Sequence, residues 1–335
     1  MNTNHSPVSS ALAVRAAGLV KTFGPLRAVD GIDLEVRRGE VFGVLGPNGA
    51  GKTTMLQMLA TLLPMDGGSA DIFGVDVKQH PHVVRQLVGV TGQYASVDEN
   101  LTARENLYLF GRLLGVDKRK SRRTAEELLG RFGLEDAGDK QISQFSGGMR
   151  RRLDLAASLI ARPPLIFLDE PTTGLDPRTR GQMWDTIRDL VAQGCTVLLT
   201  TQYLDEADQL AHRIAVIDRG RKVAEGTPDQ LKNQVGSSTL QLRLLDPAQT
   251  PAAVDVVRRV IGDEPVLTPE AGGINVPLPD ANRAADVLIG LRQQELLITS
   301  ATVQKPTLDE VFMTLTGHRA DEPSDADQTP MEMSR

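Results

Sequence analysis

An α/β fold with a helical insert and a small second α/β domain follows from three features of this sequence. A glycine-rich turn, Gly46-Pro47-Asn48-Gly49-Ala50-Gly51-Lys52-Thr53-Thr54, lies between an apolar run and a segment of helical spacing. A second apolar run, Leu165-Ile166-Phe167-Leu168, ends in the acidic pair Asp169-Glu170. After Gly226-Thr227-Pro228 the composition shifts and a new series of strand and helix patterns begins. Short continuous apolar runs bounded by turn residues mark strands buried on both faces, as parallel sheets require.

Residues 1–10 carry neither a basic segment nor an apolar core, so they are read as a disordered start and not as a signal peptide. From about Ala11 to Val44 the residues alternate as antiparallel strands do, with turns at Phe23-Gly24-Pro25 and Arg37-Arg38-Gly39. Glu40 to Leu45 reads as a buried strand, Thr54 to Ala60 as a helix, and Leu87 to Thr91 as a further strand. From about Asp98 to Arg162 the spacing becomes helical, which predicts an α-helical subdomain over residues 98–162 inserted into the αβ core. The core resumes at Leu165 and alternates helix and strand to about Glu225, giving a first domain over residues 11–230. Residues 238–316 read as three strands and three helices of a separate domain, with helices near Ala252 to Ile261 and Ala281 to Arg292. The acid-rich, proline-containing stretch 317–335 is expected to be a disordered tail.

The 335 residues suffice for one large and one small domain, and 40% hydrophobic with 24% charged residues suits a buried core. A net charge of −6 speaks against a nucleic-acid partner, whose footprint is a basic excess. The single cysteine, Cys195, lies in an apolar run and reads as a small core residue; a disulfide framework is excluded. No run approaches the roughly 18 apolar residues of a spanning helix, so any membrane role must come through a partner.

The glycine-rich turn fits G-x-x-x-x-G-K-[ST] in the strand–turn–helix context that this pattern needs. Its glycines let backbone N–H groups converge on a phosphate, and the helix that follows points its positive end at the same anion. Lys52 reaches the β- and γ-phosphates and the Thr53 hydroxyl ligates Mg²⁺, so the chain is expected to bind a nucleoside triphosphate. Asp169, at the tip of a core strand, is placed to hold Mg²⁺, and Glu170 to face the attacking water as general base. Between these elements Phe145-Ser146-Gly147-Gly148-Met149-Arg150-Arg151-Arg152 runs into a helix, with Ser146 as N-cap. Three arginines in a first helical turn oppose the macrodipole, which calls for an acidic or phosphate partner nearby, while at least one is expected to point to solvent.

Ser146-Gly147-Gly148 before an Asp169-Glu170 strand, after a phosphate loop, resembles the signature of ATP-binding cassette (ABC) ATPases. The order over residues 12–226 is theirs: phosphate loop, Gln93, signature, acidic strand, the loop Thr173-Gly174-Leu175-Asp176, then Thr200-Thr201-Gln202. The resemblance implies a P-loop NTPase of the ABC type, with an N-terminal antiparallel β part, the inserted helical subdomain, and ATP and Mg²⁺ as cofactors. It further implies that two cassettes clasp two ATP molecules. Ser146, Gly147 and Gly148 would then bind ATP held by the partner chain, and Asp176 would lie at the dimer interface. Gln93 would sense Mg²⁺ and the attacking water and pass the state to Tyr94 to Asn106. Phe23 occupies the place where an aromatic ring stacks on adenine, against a simple role in the core.

The position that family usually fills with histidine holds Gln202, which can hydrogen-bond a phosphate but carries no charge. The favoured reading is a working ATPase in which Glu170 is the base and Gln202 orients the γ-phosphate; the other is a slow or dead enzyme. Gln202 within Thr201-Gln202-Tyr203-Leu204-Asp205-Glu206-Ala207-Asp208, together with Pro306-Thr307-Leu308-Asp309-Glu310-Val311-Phe312, resembles the ATPases of daunorubicin-resistance drug exporters. That resemblance implies a homodimer docked on a separate multi-spanning permease, peripheral on the cytoplasmic side of the cell membrane. The alternatives weighed are a soluble non-transport ABC ATPase and an ATP-dependent regulatory protein with residues 238–316 as a sensor.

Overall fold

The computed structural model describes residues 11–91, 97–235, 238–268, 271–278 and 280–317. Gln93 lies outside the described residues, as do residues 1–10 and, of the stretch 317–335, all but Gly317. The chain divides into two compact units, one running to Pro228 and the other spanning Asp229–Gly317.

In the first unit, β1 (Leu12–Phe23) and β2 (Leu26–Arg37) form a hairpin closed at Phe23 and Leu26. With β4 (Gly67–Ile72) and β5 (Val75–Asp76) they make an antiparallel sheet in the order β2-β1-β4-β5. The alternating burial of these strands is that of a sheet with one face on the core. A second sheet has the order β10-β9-β3-β8-β7-β6. It comprises β3 (Val41–Leu45), β6 (Val88–Thr91), β7 (Leu165–Asp169), β8 (Thr196–Thr201), β9 (Arg213–Asp218) and the antiparallel edge strand β10 (Arg221–Gly226). β3, β7 and β8 are buried at every residue, which explains the apolar runs 165–168 and 197–199 at the heart of β7 and β8 and the apolar residues of β3.

The two faces of this sheet feed two cores. Leu165, Phe167, Leu198, Phe42 and Val44 pack with the antiparallel sheet and with α1 (Lys52–Leu59). Ile166, Leu168, Val197 and Leu199 pack with α5 (Gly147–Ser158), α6 (Pro177–Ala192) and the helices α3 (Ala103–Leu113) and α4 (Lys118–Arg131). Truncating one of these fully buried aromatics, such as Phe167, would cost about 3–5 kcal/mol. The short α2 (Pro81–Leu87) precedes β6, and α7 (Leu204–Leu210) follows β8. The parallel register sets Asp169 beside Thr200 and Leu45 beside Thr201. Three strand ends therefore meet at one edge of the sheet, where the glycine-rich turn begins.

The second unit starts at Asp229, within α8 (Pro228–Val235), earlier in the chain than residue 238. Among the described residues its strands are four, β11 (Ser238–Leu244), β12 (Val266–Leu267), β13 (Gly273–Leu278) and β14 (Ile298–Gln304), against three expected. The extra strand has two residues, too few to leave a periodic signal. With α9 (Thr250–Ile261) and α10 (Arg283–Gln293) they form a β-α-β-β-α-β unit, all antiparallel in the order β12-β13-β11-β14. α11 (Leu308–Thr316) closes the unit behind a capping box of Thr307 and Glu310.

Candidate functional site

The glycine-rich turn leaves β3 and returns as α1 with little room for side chains. A methyl group on Gly46 would lie 2.2 Å from the Ile217 carbonyl oxygen, and one on Gly51 2.2 Å from that of Ala28. Gly51 also holds φ +98° as the N-cap of α1, a conformation that only glycine adopts without strain. Because Gly51 has no capping side chain, the first N–H groups of α1 stay open to an anion. Asn48 and Gly49 are exposed at the tip, whereas Lys52 is 4% exposed. Its Nζ donates to the carbonyls of Gly46 (2.8 Å) and Pro47 (2.9 Å) and stands 3.4 Å from Glu170 Oε1. Burial lowers the Lys52 pKa, and the carboxylates of Glu170 and Asp169 oppose that shift.

Facing the turn, Asp169 Oδ1 accepts hydrogen bonds from Thr53 Oγ1 (3.0 Å) and Thr200 Oγ1 (2.6 Å). Thr200 also holds Glu170, whose N–H donates to the Thr200 hydroxyl (3.2 Å) and carbonyl (3.1 Å). Glu170 adopts φ +48°, in the left-handed region. For a residue with a Cβ such a conformation costs on the order of 1–3 kcal/mol and persists only where the surroundings enforce it. Thr173 Oγ1 donates to Glu170 Oε2 at 3.2 Å. Phosphate loop, Lys52, Thr53, Asp169 and Glu170 are thus brought into one hydrogen-bonded group. The oxygen donors of Thr53 and Asp169, 3.0 Å apart, are the hard ligands that Mg²⁺ takes.

The Ser146-Gly147-Gly148 part of the signature stands apart from that group. Ser146 caps α5, its Oγ accepting from Met149 N at 3.2 Å. Ser146 and Gly147 are exposed; Gly148 is pressed on α6, where an added methyl would meet Thr179 Cγ2 at 2.7 Å. Asp176 caps α6, accepting from Arg178 N (3.1 Å), Thr179 N (3.0 Å) and Thr179 Oγ1 (2.6 Å). The Thr179 bonds hold its carboxyl below the usual range. Among the described residues, none of Ser146, Gly147, Gly148 and Asp176 hydrogen-bonds to the phosphate loop of the same chain.

All three arginines of α5 have partners in the chain, so the expectation of one pointing freely to solvent fails. Arg150 pairs with Glu99 (2.7 Å), Arg152 donates to the Phe132 carbonyl (2.8 Å), and Arg151 donates to the carbonyls of Asp169, Glu170 and Pro171. Phe23 is 47% exposed at the end of β1, with Lys21 Nζ 5.5 Å above its ring, so it is not a core residue. Gln202 is half-buried between β8 and α7, and its side chain forms no hydrogen bond with a described residue. The residues after it are tied to α6. Arg180 pairs with Asp205 (3.1 Å) and covers the Tyr203 ring, and Trp184 Nε1 donates to Glu206 Oε1 (3.3 Å). Sequence reasoning did not find Thr200 or Arg151 as site residues. The signal for Thr200 was a pair of hydroxyl residues following the apolar run 197–199 of a buried strand.

A phosphate loop opening a helix, a carboxylate pair at the end of β7, one strand removed from β3, and a glycine signature on an inserted helix define a P-loop ATPase of the ABC type. Residues 29–173 match the ABC transporter family model, and residues 226–316 match that of the ATP-binding protein DrrA1-3-like, C-terminal domain. The chain belongs to the ABC transporter ATP-binding proteins: it binds ATP and is an ATPase. It is 51% identical to the daunorubicin resistance ATP-binding protein DrrA2 of Streptomyces coeruleorubidus, over 92% of this chain and 96% of that one. It is 52% identical to the daunorubicin/doxorubicin resistance ATP-binding protein DrrA of Streptomyces peucetius, over 93% and 94%. The Nod factor export ATP-binding protein I of Rhizobium sp. (strain N33) is 37% identical over 92% and 98%. Among solved structures, the dimeric post-hydrolysis state of the cassette MJ0796 bound to ADP and Pi superposes with a TM-score of 0.59. It is 26% identical and covers 64% of this chain and 98% of its own.

Proposed function

We propose that this chain powers the export of a drug or other hydrophobic small molecule through a separate membrane permease, working as a homodimer on the cytoplasmic face of the membrane. The observation that carries the catalytic part is the buried group in which Lys52 stands 3.4 Å from Glu170 and Thr53 stands 3.0 Å from Asp169. Lys52 and the N–H groups of residues 46–54 bind the β- and γ-phosphates of ATP. Thr53 and Asp169, with Gln93, would hold Mg²⁺, which would neutralise charge on the phosphate oxygens. Glu170 accepts the proton of the attacking water. Gln202 donates its amide to the γ-phosphate, and Phe23 stacks on adenine. Ser146, Gly147 and Gly148 meet the ATP of the opposite chain, with Asp176 beside them at the interface.

The relatives named for daunorubicin resistance and Nod factor export support the export reading. Among the described residues no helix is long and apolar enough to cross a membrane, which accords with a separate permease. The test is affinity purification of the tagged chain from native membranes with ATP, using Glu170→Gln to slow hydrolysis. Glu170→Gln is expected to lower kcat by about 10² or more while ATP still binds. Recovery of a multi-spanning protein in stoichiometric amount supports export. A chain that stays alone and soluble sinks it, and near-normal hydrolysis in the variant removes Glu170 from the base role.

A further inference from the structure

Arg151 lies in the second half of the signature segment, five residues beyond Ser146, yet its guanidinium does not face the nucleotide partner that the signature serves. It reaches back into the chain's own site. Nη2 donates to the carbonyls of Asp169 (2.7 Å) and Glu170 (3.0 Å), and Nε to that of Pro171 (3.1 Å). Three successive carbonyls converging on one half-buried guanidinium form a clamp on the turn that carries the two acidic residues. The rigid fork of arginine suits such a cluster, whereas a lysine presents a single point charge.

Two further facts give the clamp its purpose. Glu170 holds φ +48°, a backbone that only its surroundings can enforce, and the enforcing bonds run to Thr200 on one side and Arg151 on the other. Desolvation lowers the pKa of the half-buried Arg151, and the charges of Asp154, Asp169, Glu206 and Glu170 oppose that shift, which offsets its place at the positive end of a helix.

We infer that Arg151 is a positioning residue that fixes the general base Glu170 of its own chain and ties that base to the helix whose N-terminus meets the partner's ATP. The inference rests on the homodimer reading above. Its consequence is a link between the two ATP sites. A shift of α5 on the opposite nucleotide moves the carbonyls behind Glu170, and so sets when this chain's base is aligned.

The test separates action on the chain's own base from action on the partner's nucleotide. Two differently tagged copies are co-expressed and purified through both tags, and steady-state MgATP hydrolysis is measured. First, Arg151→Met homodimers are expected to lose kcat by roughly 10- to 100-fold with KM for ATP unchanged within about twofold, and Arg151→Lys to recover part of it. In mixed dimers, Arg151→Met and Glu170→Gln on the same chain, opposite a wild-type chain, damage a single site and should leave about half the activity. The same two substitutions on opposite chains damage both sites and should leave almost none. The reverse pattern would show that Arg151 serves the nucleotide across the interface and would overturn the proposal; so would an unchanged kcat, or a loss confined to KM. Should Arg151→Met unfold the cassette, the same pairing is run with Arg151→Lys. If no doubly tagged dimers are recovered with ATP, the dimer reading falls, while the kcat and KM of the singly tagged Arg151 variants still decide the clamp.

Discussion

Replacing Thr200 by valine isolates the hydrogen bond that holds Asp169. Thr200 is fully buried, and its hydroxyl both donates to Asp169 Oδ1 at 2.6 Å and accepts from Glu170 N at 3.2 Å. Valine keeps the branched shape and removes both bonds. A hydrogen bond to a charged group contributes about 1.5–3 kcal/mol. The Glu170 N–H keeps the Thr200 carbonyl at 3.1 Å, so its second loss adds little. The sum is about 2–3 kcal/mol. In a unit of this size that corresponds to a fall of roughly 5–10 °C in the melting midpoint. Hydrolysis should fall as well, because Asp169 keeps Thr53 but loses the partner that fixes its rotamer. Thr200→Ser, which retains the hydroxyl and gives up one methyl group, should cost only about 1 kcal/mol. Calorimetry and MgATP hydrolysis on the two variants decide the matter. If valine melts with serine and hydrolyses ATP at the same rate, the Thr200 hydroxyl does not organise this site.

Other expectations follow from single features. Gly51→Ala places a methyl 2.2 Å from the Ala28 carbonyl at φ +98°, and should abolish ATP binding in an equilibrium titration; retained affinity would show that the loop relaxes freely. Burial raises the Glu206 pKa, opposed by the hydroxyls of Thr201 and Thr172 and the Trp184 indole. A raised carboxyl pKa gives stability that is full below the unfolded value and lost as pH rises through the folded one. Glu206→Gln should therefore gain melting temperature over the parent as pH goes from 4 to 8, and a difference independent of pH would refute the burial argument. Burial pushes the Cys195 thiol up to about 11 from 9.0, so alkylation at neutral pH should run roughly a hundredfold slower than for an unburied thiol. Rapid labelling would mean that the thiol is open.

Features written in adjacent residues were legible in the sequence, and those made by register were not. The phosphate loop announces itself because glycines, lysine and hydroxyl must be consecutive for one anion to meet them all. The acidic strand end is legible for the same reason. Thr200 joins the site only because β7 and β8 pair with Asp169 beside it, a relation between residues 31 apart. Arg151 was noticed as a charge at the wrong end of a helix, but its three carbonyl partners depend on how α5 packs against the end of β7. Asp176 carried a second meaning in plain view. An aspartate followed by proline at the first helical position is an N-cap signal, and the structure gives it that role.

Burial divides the proposed catalytic residues into two sets, and the division has a physical reason. Lys52, Asp169 and Glu170 are 4%, 4% and 8% exposed, and each has charged or hydroxyl partners inside the same chain. A buried charge without such partners is prohibitively costly, so these groups must be paired before any nucleotide arrives. Ser146, Gly147 and Asp176 are exposed and need no such pairing; serine and aspartate merely cap the helices that display them. One set is therefore preorganised by its own fold, and the other is free to meet a ligand presented from outside. That is the arrangement expected of a site completed by a second copy of the chain. Arg151 is the side chain that touches both halves, because it springs from the helix of the exposed set and bonds to the backbone of the buried one.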